Sequence, residues 1–309
     1  MFNTPILFLI FNRPKCTEIV FNAIRNIQPK KLYIAADGPR DNFQEDILKC
    51  KITRKIALNI DWVCKVHTRF RENNLGCGRA ISDAISWFFK QEESGIIIED
   101  DCVPCESFFL FCKVLLEKYK DHDRIMHING NNFNVPISKF LKNRDLYSYY
   151  FGSFAQVWGW ASWRRAWEKY DYNMSSWKNK KMRRTLINRF PSIGTYLERS
   201  LCFDMVYHGK IDTWDYQWQY AVLANEGFVI IPKTNLVSNI GYGSDSTHIK
   251  YFDKRRNSLV TNNIDFPLRH SSKITKIKKL DYFYSLNMGM KPSIKKIHKY
   301  LLSCIKSFA

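Results

Sequence analysis

Between Ile6 and Tyr119, short apolar runs alternate with stretches of helical spacing, and few architectures accept that rhythm. Ile6–Phe11 is an Ile, Leu and Phe run closed by Asn12-Arg13-Pro14. Thr17–Ile27 then places Ile19, Val20, Ala23, Ile24 and Ile27 at helical intervals, with Thr17 the expected N-cap. Leu32–Ala36, Val63–Thr68 and Gly95–Ile98 read as further strands, and Arg79–Lys90 and Phe108–Tyr119 as further helices. Strands joined through helices predict a mostly parallel sheet with right-handed crossovers and helices on its faces. With 309 residues, 45% of them hydrophobic, the chain can bury a large core, which excludes disordered and fibrous classes.

In such sheets, ligands bind beyond the carboxyl ends of the strands. Ile96-Ile97-Ile98 runs directly into Glu99-Asp100-Asp101 at such an end. Three consecutive carboxylates beside a low-dielectric core repel one another, and a divalent cation relieves that repulsion. Hard carboxylate oxygens suit Mg²⁺ or Mn²⁺, with substrate phosphates and water completing the shell. A solvated acidic turn or a helix N-terminus is the alternative that the triplet alone leaves open.

The chain carries 48 Lys and Arg against 29 Asp and Glu, a net charge of +19, which at first suggests a nucleic acid or a membrane. Residues 248–309 alone hold 14 basic and 3 acidic residues. Within them, Ile294, Ile297, Leu301, Ile305 and Phe308 recur at intervals of three and four, with Lys291, Lys295, Lys296, Lys299 and Lys306 mostly on the other side. After Pro292-Ser293 this predicts a basic amphipathic helix, which either lies on an anionic membrane surface or packs on the core. No RNP-like, zinc-finger or helix-turn-helix pattern supports a nucleic-acid binder. Cys102-Val103-Pro104-Cys105 lacks a second ligand pair, and the nine scattered cysteines fit reduced thiols. With no export signal or spanning segment in the sequence, the expected location is cytoplasmic, peripheral on the inner face of the membrane.

Ile96-Ile97-Ile98-Glu99-Asp100-Asp101, followed by Phe108-Phe109, resembles the metal-binding segment of the GT-A glycosyltransferases. It is similar to the Glu-Asp-Asp variant of the Asp-X-Asp motif in N-acetylglucosaminyltransferase I. Other segments agree in order: Ile10-Phe11-Asn12-Arg13-Pro14 and Ala35-Ala36-Asp37-Gly38 resemble the nucleotide-binding strand ends, and Asn73-Asn74-Leu75-Gly76 the turn before the next helix. Gly159-Trp160 resembles an acceptor-side Gly-Trp, and Thr213-Trp214-Asp215 the segment that holds the catalytic base. The matches cover about residues 5–250.

The resemblance implies a Rossmann-like GT-A domain over 1–250, with a nucleotide-sugar half over about 1–130 and an acceptor half over 131–250. A basic C-terminal segment over 251–309 follows. Asp101 would bind the metal, Asp100 touch the ribose or donor sugar, and Glu99 support the donor. Arg13 and Asp37 would hold the nucleotide, with Asn74 in the adjoining turn and Trp160 facing the acceptor. Asp215 would be the general base for inverting transfer, with Asp212 the other candidate. His248, after the Gly/Ser-rich loop 241–246, would make a late metal or phosphate contact. The implied donor is a UDP-linked N-acetylhexosamine, and the acceptor a glycan or lipid-linked glycan in cell-surface polysaccharide biosynthesis. A nucleotidyltransferase acting on sugar phosphates shares metal, nucleotide and sheet, but Phe11-Asn12-Arg13-Pro14 lacks the Gly-rich, Lys-bearing phosphate loop it would need.

Overall fold

In the computed structural model, which describes residues 2–135, 147–241 and 259–288, eight strands form one sheet. In chain order they are β1 (Ile6–Ile10), β2 (Lys31–Ala36), β3 (Lys65–Phe70), β4 (Ser94–Glu99), β6 (Ile125–Asn129), β7 (Tyr149–Gly152), β8 (Trp160–Trp163) and β9 (Phe228–Pro232). Their spatial order is β3-β2-β1-β4-β8-β6-β9-β7. Strands β3, β2, β1 and β4 are parallel, as are β6 and β9, while β8 and β7 run antiparallel to their neighbours. The mixed, mostly parallel α/β sheet is the expected fold class. Two short strands, β5 (Cys102–Pro104) and β10 (Val237–Asn239), pair separately and antiparallel.

Period-two alternation along β1 feeds two core layers. Leu7 and Leu9 join Ala84, Ile85, Phe88 and Phe89 of α3 (Gly76–Gln91) on one face. On the other, Ile6, Phe8 and Ile10 join Val20, Phe21 and Ile24 of α1 (Pro14–Ile27) and Phe108, Phe111 and Leu115 of α4 (Glu106–Lys118). Several boundaries differ from expectation by one to three residues, α3 starting at Gly76 and α4 at Glu106, and two of the shifts are informative. Pro14, with φ preset for a first turn, starts α1, so Thr17 lies buried inside the helix and Arg13 occupies the N-cap. The third strand begins at Lys65, where pairing with Lys31 of β2 starts, and Val63 lies outside it, 85% exposed.

Helix α2 (Gln44–Ala57) follows β2, and α5 (Arg164–Trp167), α6 (Lys180–Ile187), α7 (Ile193–Tyr207) and α8 (Asp215–Ala224) fill the second half. The sheet runs without a break through both expected halves. Residues 259–288, which the sequence assigns to a separate basic segment, belong to the same core. Ile264 and Leu268 are buried in it, as are Leu280 and Tyr284 of α9 (Lys278–Asn287). The expected tail helix 292–308 and His248 lie outside the described residues.

Candidate functional site

The carboxyl ends of β2, β1 and β4 lie side by side, because Ile10 pairs with Ala36 and Leu9 with Glu99. Parallel pairing therefore puts the turns after Ala36, Ile10 and Glu99 at one sheet edge. They open into a cavity of about 740 Å³ lined by Arg13, Asp37, Asn74, Glu99, Asp100, Asp101, Asp212 and Asp215. Eight side chains selected from the sequence thus share one cavity.

Arg13 bridges two of these turns. Its Nη1 donates to Asp101 Oδ2 at 2.6 Å and stands 3.8 Å from Asp100 Oδ1. Asp100 Oδ2 accepts from the Phe11 amide at 3.1 Å. Burial alone would lower the Arg13 pKa, but Asp100 and Asp101 hold it above its ordinary value. Burial pushes Asp100 up to about 7 in spite of Arg13. The direct contact decides the state of the group: a cationic Arg13 held mainly by Asp101.

Glu99 lies deeper. Its Oε1 is sealed from solvent without a hydrogen-bond partner among the described residues. Burial, and then Asp101, Asp100 and Asp215, raise its carboxyl well above the usual range. An orphaned carboxylate oxygen beside two more carboxylates fits a hard cation. No group of three His, Cys, Asp or Glu side chains among the described residues converges on one point, so the chain would offer such an ion one or two carboxylates. Asp101 is the most firmly held of them, with Arg13 on Oδ2 and Cys102 Sγ 3.3 Å from Oδ1. Asn239 Nδ2 donates to Asp101 Oδ1 at 3.2 Å, the Ile240 amide donates to Asp101 O at 2.9 Å, and Gly241 packs so closely that any Cβ would collide with Asp101 Oδ2. The end of β10 thus fixes the orientation of Asp101.

Asp37 and Asn74 tie the second strand end to the start of α3. Asp37 accepts from the Leu75 amide at 3.0 and 3.1 Å and from Gly38 at 2.9 Å, while burial raises its pKa. Asn74 Nδ2 donates to Gly38 O at 2.8 Å. Both side chains shape the cavity wall through backbone groups.

The two candidate bases separate. Asp212 Oδ1 accepts from the Gly78 amide at 3.0 Å, at the first turn of α3. Gly76, with φ +79°, lies so near that a Cβ there would sit 2.5 Å from Asp212 Oδ2. Asp212 therefore caps α3 from a distant loop. Asp215 opens α8, where its Oδ1 accepts from the Tyr216 amide at 2.9 Å and from Thr213 Oγ1. Both hydrogen bonds fall on Oδ1, and Oδ2 is the oxygen left for other chemistry. Cys77 lies between these groups, and its thiol is pushed up first by burial and then by Glu99, Asp215 and Asp212.

Trp160, expected to face the acceptor, lies away from the cavity. It is fully buried on β8, stacked on His127 at 4.9 Å and on Trp214 at 5.7 Å, and contributes nothing to the cavity wall. A central strand covered on both faces leaves its side chains no opening. His127 shares that interior: Trp218 Nε1 donates to its Nδ1 at 2.9 Å, its Nε2 faces Gln156 O at 2.9 Å, and burial lowers its pKa to about 3. The aromatic residues that do line the cavity are Phe11, Phe133, Trp158, Trp214 and Tyr216. Gly241, the first residue of the Gly/Ser-rich loop, reaches this site, and no pattern in the sequence points to Asn239, Arg199 or Met288. A three-residue strand has no readable periodicity, and an arginine within a helix reads as surface.

Fold and site together define an α/β protein with an acidic and arginine-lined cleft beyond parallel strand ends. No protein-family profile matches the chain, and no curated protein matches it. Among solved structures it is similar to HddC from Yersinia pseudotuberculosis, at 13% identity over 54% of this chain and 80% of that one, with a TM-score of 0.30. So loose a superposition carries no argument about fold or chemistry. Among the described residues no helix is long and apolar enough to cross a membrane.

Proposed function

We propose that this chain is a divalent-cation-dependent glycosyltransferase of the GT-A class, moving a sugar from a nucleotide diphosphate to a hydroxyl with inversion. The observation that carries the proposal is the meeting of Arg13, Asp37, Glu99, Asp100 and Asp101 at adjoining parallel strand ends with Asp215 in the same cavity. Donor binding falls to the strand-end side and proton removal to the α8 side.

Asp101 would hold the metal, which when bound stabilises the charge of a leaving diphosphate. Arg13, now in contact with Asp101, is within reach of the same anion. Asp37 and Asn74 keep the β2 turn against α3, which sets the width of the nucleotide side. Asp215 accepts the acceptor proton on Oδ2 while Thr213 and the Tyr216 amide fix Oδ1. Inversion follows from a single in-line displacement in which one carboxylate serves as base. A UDP-linked N-acetylhexosamine donor and a glycan or lipid-linked acceptor in cell-surface polysaccharide synthesis belong to the same proposal, as does membrane association through the basic tail.

The test is a thermal-shift panel of nucleoside diphosphates and nucleotide sugars, with and without Mn²⁺. One nucleotide series should stabilise the chain, by about 3 kcal/mol at a hundred times its Kd, and only with metal. Asp101→Ala should abolish that stabilisation. No response to any nucleotide, or a response that Asp101→Ala leaves intact, refutes the proposal.

A further inference from the structure

Five arginines line the cavity, and four are committed to carboxylates: Arg13 to Asp101, Arg40 to Asp46, and Arg69 and Arg71 to Asp83. Arg199 differs. Helix α7 brings it to the cavity with its side chain only 9% exposed, yet its Nε has no hydrogen-bond partner among the described residues. The carboxylate within 4 Å is Glu198, whose Oε2 lies 3.9 Å from Nε, beyond hydrogen-bond range, and is itself unpartnered. The Arg199 guanidinium instead stands over Tyr216, 4.8 Å from the ring centroid. Tyr216 follows Asp215, so this cation stands on the α8 side of the cavity.

A guanidinium keeps its charge and offers five donors in a plane, a geometry matched to carboxylate and phosphate. With Nε buried and without an acceptor, the group is in a costly arrangement that an incoming anion on its fork would relieve. Glu198 balances its charge in part but leaves the donors unused. We infer that Arg199 recognises an anionic group, a carboxylate or a phosphate ester, carried by the acceptor close to the hydroxyl that reacts. The inference rests on the glycosyltransferase proposal for its assignment to the acceptor, and on Arg199 alone for the anion.

The experiment uses the full chain saturated with UDP and Mn²⁺ and follows three probes by ligand-observed NMR: methyl β-D-glucuronide, methyl β-D-glucoside 6-phosphate and neutral methyl β-D-glucoside. At least one anionic probe should bind 10- to 100-fold more tightly than the neutral one, as expected for charge-assisted hydrogen bonds. Arg199→Gln should erase that preference, Arg199→Lys should keep part of it, and UDP binding should be the same in all three proteins. Whichever anionic probe is preferred identifies the anion. Equal binding of charged and neutral probes to the unaltered chain overturns the inference, as does an Arg199→Gln protein that keeps the preference. If Arg199→Gln does not fold, the unaltered chain and Arg199→Lys decide alone. If UDP fails to bind while an anionic probe still requires Arg199, the anion site stands and the glycosyltransferase proposal falls.

Discussion

Tyr284→Phe removes one oxygen atom from the middle of the core and tests whether residues 259–288 belong to the same cooperative unit as the sheet. Tyr284 is fully buried on α9. Its hydroxyl accepts from Asn129 Nδ2 at 2.8 Å and donates to Asn131 O at 3.1 Å. Asn129 Nδ2 keeps a second acceptor, Phe154 O at 3.2 Å, so it is not stranded by the change. Asn131 O loses the Tyr284 donor. One neutral hydrogen bond is worth about 1 kcal/mol net, and a buried acceptor left unpaired costs about 1–3 kcal/mol. The sum is a loss of roughly 2–4 kcal/mol with no change of shape. At a urea slope of about 3 kcal/mol per molar, the midpoint should fall by roughly 0.7–1.3 M in a single transition followed by fluorescence and circular dichroism. Tyr282, 36% exposed on the same helix, supplies the control, and Tyr282→Phe should stay within about 0.5 kcal/mol of the unaltered chain. A Tyr284→Phe protein as stable as the control, or a separate early transition for α9, would refute the reasoning.

Gly241→Ala should push the end of β10 off Asp101 and weaken Mn²⁺-dependent nucleotide binding about tenfold in calorimetric titration, and unchanged affinity would contradict the steric argument. Asp215→Asn should lower turnover by about 10²–10⁴-fold with nucleotide binding intact, whereas Asp212→Ala should chiefly cost about 1 kcal/mol of stability through the lost α3 cap. Equal kinetic defects in the two variants would undo their separation into base and cap. For Asp281, burial raises the carboxyl to about 6 although Ser153 donates to it through N and Oγ at 3.1 and 2.8 Å. The folded chain therefore holds this proton more tightly than the unfolded one, whose carboxyl titrates near ~4. The contribution of Asp281 is complete below about pH 4 and is lost as pH rises through 6, by about 3 kcal/mol. Asp281→Asn should remove that part of the pH dependence from urea midpoints, and an identical pH slope in both proteins would count against it.

Strands β1, β2 and β4 and helices α1, α3 and α4 are legible in the sequence because each combines an apolar run or stripe with a clear stop. Helix α2 is not, because its polarity is reversed: Ile47 and Leu48 are 59% and 61% exposed, while Asp46, Cys50 and Thr53 are buried. A periodicity search finds no inward apolar face there, since the buried Asp46 is satisfied by Arg40 and Asn12. The strand-end acids and Arg13 are legible for a physical reason, since parallel strands carry their carboxyl termini to one edge. Trp160 is misleading because a tryptophan suits both a sugar face and a core, and only burial separates the two. The distinction between Asp212 and Asp215 rests on a contact 134 residues away, at Gly78, which no local pattern announces. The 259–288 segment reads as a charged tail because its apolar anchors, Leu280 and Tyr284, are one helical turn apart among lysines.

The hydrogen bond from Asn239 to Asp101 spans 138 residues, and that from Asn129 to Tyr284 spans 155. A nascent chain leaving the ribosome can pair β1, β2, β3 and β4 once about 100 residues have emerged, but Asp101 has no Asn239 to orient it until more than twice that length is made. Met288, also in the cavity wall, arrives later still. The carboxylate cluster therefore spends most of translation without its closing partners, when an ion captured there would meet an open sheet edge. A cavity wall completed from residues so far downstream takes its full shape only once they have been made, so any ligand that needs the finished wall waits for them.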